Sequence, residues 1–435
     1  MASSSIITKR CGIHNPSNYC FMNSAIQCLA STPFIIEFLQ HYLKQDVTIT
    51  AVLRKFDLMD DEHIVDVRNH IDKLLADETL TKTTEDIEIL KYIQAKYDCL
   101  YLYTAVKDLI KCLIFRSNKT LSPEYVIDIG KICTRDKGFE YLFQGDQNDP
   151  HEFLAFILDM LHKAKSKHVK IKIPQFKPTH TIINQQYYEH FKKRYEKDHS
   201  YFVDNFYYYL LNCVQCNKCE AKSWEMSPSD ILCLPMPADI LHKSDATIYD
   251  CFKQLFQPER IDYKCEKCGN TENNTIEKKI LTRPKTLILK LKRYTSVGSN
   301  LVKVSKFIEY PETINLAEYS GISKNSNYKL CGVINHIGIL NSGHYYSYVK
   351  EIVVEDDKIK YKNKWWECND TNVREISLDS VMKSQNAYML FYYVDDGTYG
   401  DAVDDSMEDC EETIDDGEED DAEIEESKKE TNELC

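Results

Sequence analysis

Two cysteine patterns constrain the middle of this chain more than any other feature. Cys213-Val214-Gln215-Cys216-Asn217-Lys218-Cys219 and Cys265-Glu266-Lys267-Cys268 both place thiols with two residues between them. In a chain with 17 cysteines, on the order of one such spacing arises by chance. Two of them, each beside β-type runs and turn residues, predict a tetrahedral zinc ribbon with four cysteine ligands. Its shell would be closed and the metal structural, because no position stays open to a substrate. The alternative is four reduced thiols without metal. Spacing alone leaves the first pair open, since Cys213, Cys216 and Cys219 all compete.

A second cysteine feature lies near the start. From Cys11 to Asn18 the chain is turn chemistry, with Gly12, Pro16, Ser17 and two asparagines. From Cys20 it reads as a helix, with Phe21, Ala25, Cys28 and Leu29 on one face, until Pro33 interrupts. Cys20 is thus set at a helix start. An ordinary thiol ionises near about 8.5. The helix N-terminus favours its anion, and a neighbouring imidazole does so more strongly. The competing reading is a buried, inert cysteine.

Two histidines are candidate bases. His344 lies in Asn341-Ser342-Gly343-His344-Tyr345-Tyr346-Ser347-Tyr348, a glycine-hinged turn running into a strand; His336 lies eight residues earlier. Downstream, Trp365-Trp366-Glu367-Cys368-Asn369-Asp370 ends an aromatic strand in an amide and a carboxylate. Either could accept the imidazole N–H, the third role of a Cys-His-Asn arrangement.

The rest of the chain supplies scaffold. Residues 41–143 read as mostly helical, for example Ile87 to Ile114, and Asp146 to His162 as a second clear helix. From about Tyr187 the texture turns to strands: Tyr201-Phe202-Val203, Phe206 to Leu211, Thr286 to Leu291, Leu330 to Ile337, Gly343 to Val349 and Tyr388 to Val394. Hydrophobic residues make up 43% of the chain, enough for a real core. The net charge of −15 is concentrated at one end, because residues 401–435 hold 18 acidic and two basic residues. The body is therefore close to neutral, which speaks against a nucleic-acid surface. The tail composition predicts disorder. No uncharged apolar stretch approaches about 18–20 residues, so no membrane span is expected. Met1 to Ile7 lacks an apolar leader core, and the reading is an intracellular protein, cytoplasmic or nuclear.

Taken together, these segments resemble the ubiquitin-specific proteases (ubiquitin carboxyl-terminal hydrolases) of the papain-like cysteine protease superfamily. Gly12 to Ser24 is similar to the family's Cys box, Gly-Leu-x-Asn-x-Gly-Asn-Thr-Cys-Phe-Met-Asn-Ser. Asn148-Asp149-Pro150-His151-Glu152-Phe153-Leu154 resembles its Gln-Asp-Ala-Gln-Glu-Phe-Leu helix start, and Leu291-Lys292-Arg293-Tyr294 its Leu-Lys-Arg-Phe strand. Gly343 to Tyr348 with Trp365 to Asp370 resembles the His box, and Ala387 to Tyr392 the closing strand. The blocks stand in family order over roughly residues 11–394.

The resemblance implies an α+β fold: a helical thumb (about 11–165), β fingers bearing a zinc ribbon (about 200–285) and a β palm. These form a catalytic domain over 1–396, with a disordered acidic tail over 397–435. It implies Cys20 as nucleophile, His344 as base and then acid, Asn369 as the residue orienting His344, Asn15 as oxyanion donor and Asp370 in the same network. Asp149, Glu152 and Tyr345 would bind substrate, the carboxylates holding the arginine-bearing tail of ubiquitin. In the family the second zinc ligand precedes a Leu-Ser-Leu strand by roughly fourteen residues. Leu232-Cys233-Leu234 stands there, which favours Cys216 and Cys219, with Cys265 and Cys268, over Cys213.

Three positions depart from the pattern near the site. Ser17 replaces a Gly, Tyr19 a Thr, and Cys368 a Phe. If the Gly position has positive φ, Ser there costs about 1–2 kcal/mol. The function implied is thiol-dependent hydrolysis after ubiquitin's C-terminal glycine, by a monomer whose partners are ubiquitin and ubiquitinated proteins, with no nucleic acid, membrane or catalytic cofactor. The alternatives are a catalytically weak or inactive ubiquitin-binding scaffold of the same fold, and a zinc-ribbon interaction module whose Cys20 is merely buried.

Overall fold

Helix α1 (Cys20–Leu29) begins where the turn residues end, and it has no side-chain cap of its own. The Asn15 side chain organises the entry instead: its Oδ1 accepts from Ser17 N at 3.3 Å and Tyr19 N at 2.9 Å. The apolar pattern predicts one buried face, but all ten residues of α1 are buried. The amide N–H groups of its buried Asn23 and Gln27 have partners, Gln27 donating to Cys11 O at 2.8 Å and Asn23 to Asp370 Oδ1 at 2.9 Å.

The protein is described by a computed structural model over residues 6–7, 10–35, 73–77, 83–115, 120–135, 137–174, 182–237, 239–240, 245–297, 300–320, 327–339, 342–355, 358–397 and 400–401. The acidic tail beyond 401, part of the 41–143 region and Asn341 lie outside the described residues.

After α1 come α2 (Thr84–Phe115), α3 (Glu124–Thr134), α4 (Pro150–Lys165), α5 (Ile182–Tyr195), α6 (Tyr201–Phe206), α7 (Ile248–Phe256) and α8 (Leu378–Met382). The strands are β1 (Ile6–Ile7), β2 (Tyr208–Gln215), β3 (Lys222–Ser229), β4 (Ile231–Pro235), β5 (Glu259–Ile261), β6 (Asn274–Ile280), β7 (Thr286–Lys292), β8 (Tyr294–Val297), β9 (Asn300–Lys303), β10 (Thr313–Asn315), β11 (Asn327–Ile339), β12 (Ser342–Glu355), β13 (Lys358–Asn369), β14 (Asn372–Ile376), β15 (Ala387–Val394) and β16 (Gly400–Asp401). The expected mixed α+β class is what is observed.

A ten-stranded sheet runs β14-β13-β12-β11-β15-β7-β4, with β1 beside β12, β10 beside β11 and β16 beside β13. Its central strand β15 is buried at every residue, which accounts for the unbroken apolar run of its sequence. Helix α1 packs between this sheet, at β11 and β12, and helices α2 and α4. Phe21 meets Phe153 edge-on at 5.8 Å across the α1–α4 seam. The β11–β12 register sets Ile337 opposite His344, and β13 pairs Asn369 with Asn372 of β14 across a two-residue turn. A separate four-stranded sheet, β3-β2-β6-β5, carries both cysteine patterns at its end.

Several elements depart from the sequence reading. Helix α4 starts at Pro150, not Asp146: Asp149 caps it, accepting from His151 N at 2.9 Å, and Pro150 takes a first-turn position. A helix, α5, occupies 182–195, where strand texture is expected from Tyr187. Ile183, Tyr187, Phe191 and Tyr195 recur every four residues and pack on Tyr209 and Leu211. Tyr201-Phe202-Val203 is not a strand but the first half of α6. Ser200 caps this helix, and its Phe202 and Phe206 meet Phe34 at 5.7 and 5.0 Å. The following strand accordingly starts at Tyr208 instead of Phe206.

Candidate active site

Cys20 is the first residue of α1 and is 3% exposed. Its thiol lies close enough to the His344 imidazole to perturb that ring electrostatically. On the other side of that ring, Nε2 lies 2.7 Å from Asn369 Oδ1. An amide oxygen only accepts, so Nε2 carries a proton and Nδ1 is the nitrogen left for Cys20. Interaction with the Cys20 thiol is the main reason that the His344 pKa is raised to about 9; burial opposes it, and the Asn369 contact adds to it. The site thus gathers a thiol, an imidazole and an orienting amide, the groups from which an activated nucleophile is built.

His336, the other candidate base, sits elsewhere. Its ring lies 4.5 Å from that of Tyr345, its Nδ1 lies 3.5 Å from Tyr294 OH, and it is 3% exposed. Burial, with Lys303 nearby, lowers its pKa to about 4, so it stays neutral. A Cβ at Gly343 would overlap the His336 ring, so only glycine allows the His344 strand to pass this close. Gln147 fixes the same point, donating to Gly343 O at 3.0 Å and accepting from Gly343 N at 3.1 Å.

The loop before Cys20 is tied to the β13–β14 turn. Asn15 Nδ2 donates to Asp370 Oδ2 at 2.9 Å, and Asn23 Nδ2 donates to Asp370 Oδ1 at 2.9 Å. Ile13 N donates to Asp370 O at 2.9 Å, and Gly12 lies so close to Thr371 that a Cβ would overlap its carbonyl. Asp370 holds φ 48°, a region where Asp and Asn are the tolerated side chains. Asn15 spends one N–H on Asp370 and keeps a second for another acceptor.

The loop departures are accommodated. Ser17 is not among the three positive-φ non-glycine residues described, so the anticipated strain is absent. Its hydroxyl donates to Gly145 O at 3.0 Å, as Asn18 Nδ2 does at 2.8 Å. Tyr19 reaches Phe143 O at 2.7 Å, and Cys368 is 2% exposed.

Asp149 and Glu152 stand at the start of α4, and Tyr345 is buried beside them, its ring 5.7 Å from that of Tyr388. Glu152 is exposed, and its charge, after burial, helps raise the pKa of the neighbouring Tyr141. Asp149 is already engaged, with Lys290 Nζ at 2.6 Å and Tyr388 OH at 2.7 Å. Gln147, Asn23 and Lys290 were missed in the sequence. Asn23 lies within the Cys box and could have been found there, whereas Lys290 reads as one polar residue in a strand.

The thiols of Cys216, Cys219, Cys265 and Cys268 all lie within 4.8 Å of one another. Cys216 to Cys268 is 3.6 Å and Cys219 to Cys265 is 3.7 Å. A tetrahedral zinc with bonds of about 2.3 Å requires sulfur–sulfur edges of about 3.8 Å, so the set fits that metal. Cys213 is not among this group; it pairs with Trp224 and Glu277 across β2, β3 and β6.

Comparison with known proteins gives this geometry a lineage. The ubiquitin carboxyl-terminal hydrolase family profile matches residues 11–392. A probable ubiquitin carboxyl-terminal hydrolase of Acanthamoeba polyphaga mimivirus is 24% identical, covering 88% of this chain and 89% of its own. Ubiquitin carboxyl-terminal hydrolase 8 of Saccharomyces cerevisiae is also 24% identical, over 88% of this chain and 70% of its own. The chain spans under half, 47%, of ubiquitin carboxyl-terminal hydrolase 25 of Arabidopsis thaliana, at 26% identity over 88% of this chain. Among solved structures, the SAGA Ubp8 DUB module bound to monoubiquitin superposes with a TM-score of 0.58 at 21% identity, over 91% of this chain and 71% of that one. The same module bound to ubiquitin aldehyde gives 0.57 at 21% identity, over 91% and 72%. These two likenesses bear on the fold, while the profile spans every element that carries the thiol, imidazole and amide. The chain belongs to the ubiquitin carboxyl-terminal hydrolase family.

Proposed function

We propose that this deubiquitinating hydrolase is thiol-dependent, with Cys20 as its nucleophile. The single observation that carries the reading is the His344 imidazole held by Asn369 at 2.7 Å and perturbed by the neighbouring Cys20 thiol. In the proposed reaction the Cys20 sulfur attacks the carbonyl of ubiquitin's last glycine. The remaining N–H of Asn15 donates to the oxyanion, with Asp370 holding that amide in place. His344 then protonates the departing amine, and water resolves the acyl-enzyme. An oxyanion donor of this kind contributes about 2.7–4 kcal/mol in a comparable site.

Ubiquitin and ubiquitinated proteins are the proposed partners. Ubiquitin ends in Leu-Arg-Leu-Arg-Gly-Gly, and Asp149 and Glu152, three residues apart at a helix start, are proposed to receive its arginines with Tyr345 lining the same slot. Zinc held by Cys216, Cys219, Cys265 and Cys268 would supply cohesion at the end of the four-stranded sheet. The division into a catalytic domain over 1–396, with its thumb, fingers and palm, and a tail over 397–435 belongs to the same proposal. Among the described residues no helix is long and apolar enough to cross a membrane.

The scaffold alternative rests on Ser17 and Tyr19, yet both side chains have partners that leave Asn15 in position. A ubiquitin derivative with a thiol-reactive C-terminus tests the proposal. It should label Cys20 and no other cysteine. Absence of labelling, with ubiquitin still bound, would establish the scaffold instead.

A further inference from the structure

Asp149 carries a counter-ion of its own. Its Oδ1 accepts from His151 N at 2.9 Å; its Oδ2 accepts from both Lys290 Nζ at 2.6 Å and Tyr388 OH at 2.7 Å. A carboxylate offers about four lone-pair sites, so three are filled and the one left is on Oδ1. A guanidinium grips a carboxylate as a fork, one N–H to each oxygen. With Oδ2 occupied twice, that fork cannot close on Asp149 unless Lys290 or Tyr388 withdraws.

Lys290 is well fixed for this task. It lies on β7 between Leu289 and Leu291, both 0% exposed, with Met389 of β15 and Cys233 of β4 as its cross-strand neighbours. Its side chain is only 15% exposed, and the ammonium lies 5.5 Å from the centre of the Tyr388 ring. A lysine held by a carboxylate and an aromatic face is a set ion pair, not a solvated surface charge. Glu152, exposed and three residues on, has no such cation in its described contacts.

We propose that Lys290 is a specificity-determining residue that competes with the substrate's arginines for Asp149. This rests on the reading of Asp149 and Glu152 as the groups that meet the ubiquitin tail. Glu152 then reads arginine in full, while Asp149 is screened, so the slot discriminates against neutral tails less than two free carboxylates would.

The test uses the full chain and ubiquitin bearing a fluorogenic C-terminal amide, with its native tail or with the tail arginines changed to glutamine. Removing the competitor with Lys290→Gln should lower KM on the native tail by about three- to tenfold, the gain of one partly exposed charge pair. KM on the neutral tail should stay put. Lys290→Arg keeps the charge and should behave as wild type. In an Asp149→Asn background, Lys290→Gln should give no gain. Tyr388→Phe frees the same oxygen without changing charge and should lower KM in the same direction by less. It decides the matter alone if Lys290→Gln does not fold. An unchanged or raised KM on the native tail in these folded variants overturns the proposal, as does an equal fall on both tails. Glu152→Gln separates the two readings. If it abolishes the preference for arginine while Lys290→Gln does nothing, only the role of Lys290 falls. If Asp149→Asn and Glu152→Gln each lose equally on both tails, the carboxylates do not read arginine and both readings fall.

Discussion

Asp370 Oδ2 accepts a 2.9 Å hydrogen bond from Asn15 Nδ2, joining residues 355 positions apart. The other oxygen takes Asn23, so one carboxylate fixes the loop before Cys20 and the first turn of its helix. The preceding residue, Asn369, holds His344. One turn therefore positions both the proposed oxyanion donor and the imidazole.

Asp370→Asn keeps a side chain suited to φ 48° and removes the charge. We expect kcat to fall about tenfold with KM little changed, because Asn15 loses its charge-assisted partner. Asn15→Ala should cost about 100-fold or more, the scale of losing an oxyanion donor. Steady-state kinetics on a ubiquitin C-terminal amide checks both, and a KM effect larger than the kcat effect would assign Asp370 to binding.

Cys20→Ala should abolish turnover while ubiquitin binding persists. Asn369→Ala should be milder than His344→Ala, because the ring loses its orientation but the base remains. Turnover retained in Cys20→Ala would remove this residue from the nucleophile role.

The His344 pKa, raised to about 9, should set the alkaline limit of the proposed reaction. In the proposed mechanism the imidazolium protonates the leaving amine, so kcat/KM should decline as pH rises through about 9. Stability follows the same sign. The folded state holds this proton more tightly than the unfolded one, whose histidine titrates near about 6.5. The stabilisation is complete below that value and is lost as pH climbs through the folded value. Wild-type Tm should therefore fall more than that of His344→Gln between pH values of about 6.5 and 9.5. Parallel curves would contradict the coupling to Cys20.

Purified protein should contain about one zinc per chain, and chelation should lower Tm. Cys219→Ser should reduce zinc content more than Cys213→Ser. Zinc-free protein whose Tm ignores chelators would show that the four thiols meet without a metal.

Much of the site could be read from sequence because its residues sit in short local blocks. The helix start at Cys20, the Gly343-His344 strand and the Asn369-Asp370 turn each announce themselves by turn residues or alternation. What the sequence concealed are contacts between blocks. Lys290 and Asp149 are 141 positions apart, and nothing local to either marks the pair. The errors in secondary structure have another cause. Tyr201 to Phe206 is rich in residues that favour strands, but the Ser200 cap and the Phe34 contacts outweigh that preference. In α5, the four-residue recurrence of Ile183, Tyr187, Phe191 and Tyr195 was legible, but the tyrosines around it read as β texture.

The burial of α1 on every side has a consequence for natural variation in this protein. A helix with no solvent-facing position offers no neutral site, so a substitution anywhere along it leaves a cavity, a clash or a polar group without a partner. Harmful alleles at Phe21, Ala25 or Leu29 should then reach the cell as shortage, by degradation of unfolded chains, more than as slow enzyme. On the proposed mechanism position 20 is the exception: a small replacement there should silence the protein while costing the fold little, yielding a stable, abundant copy that still binds what the active protein would cleave.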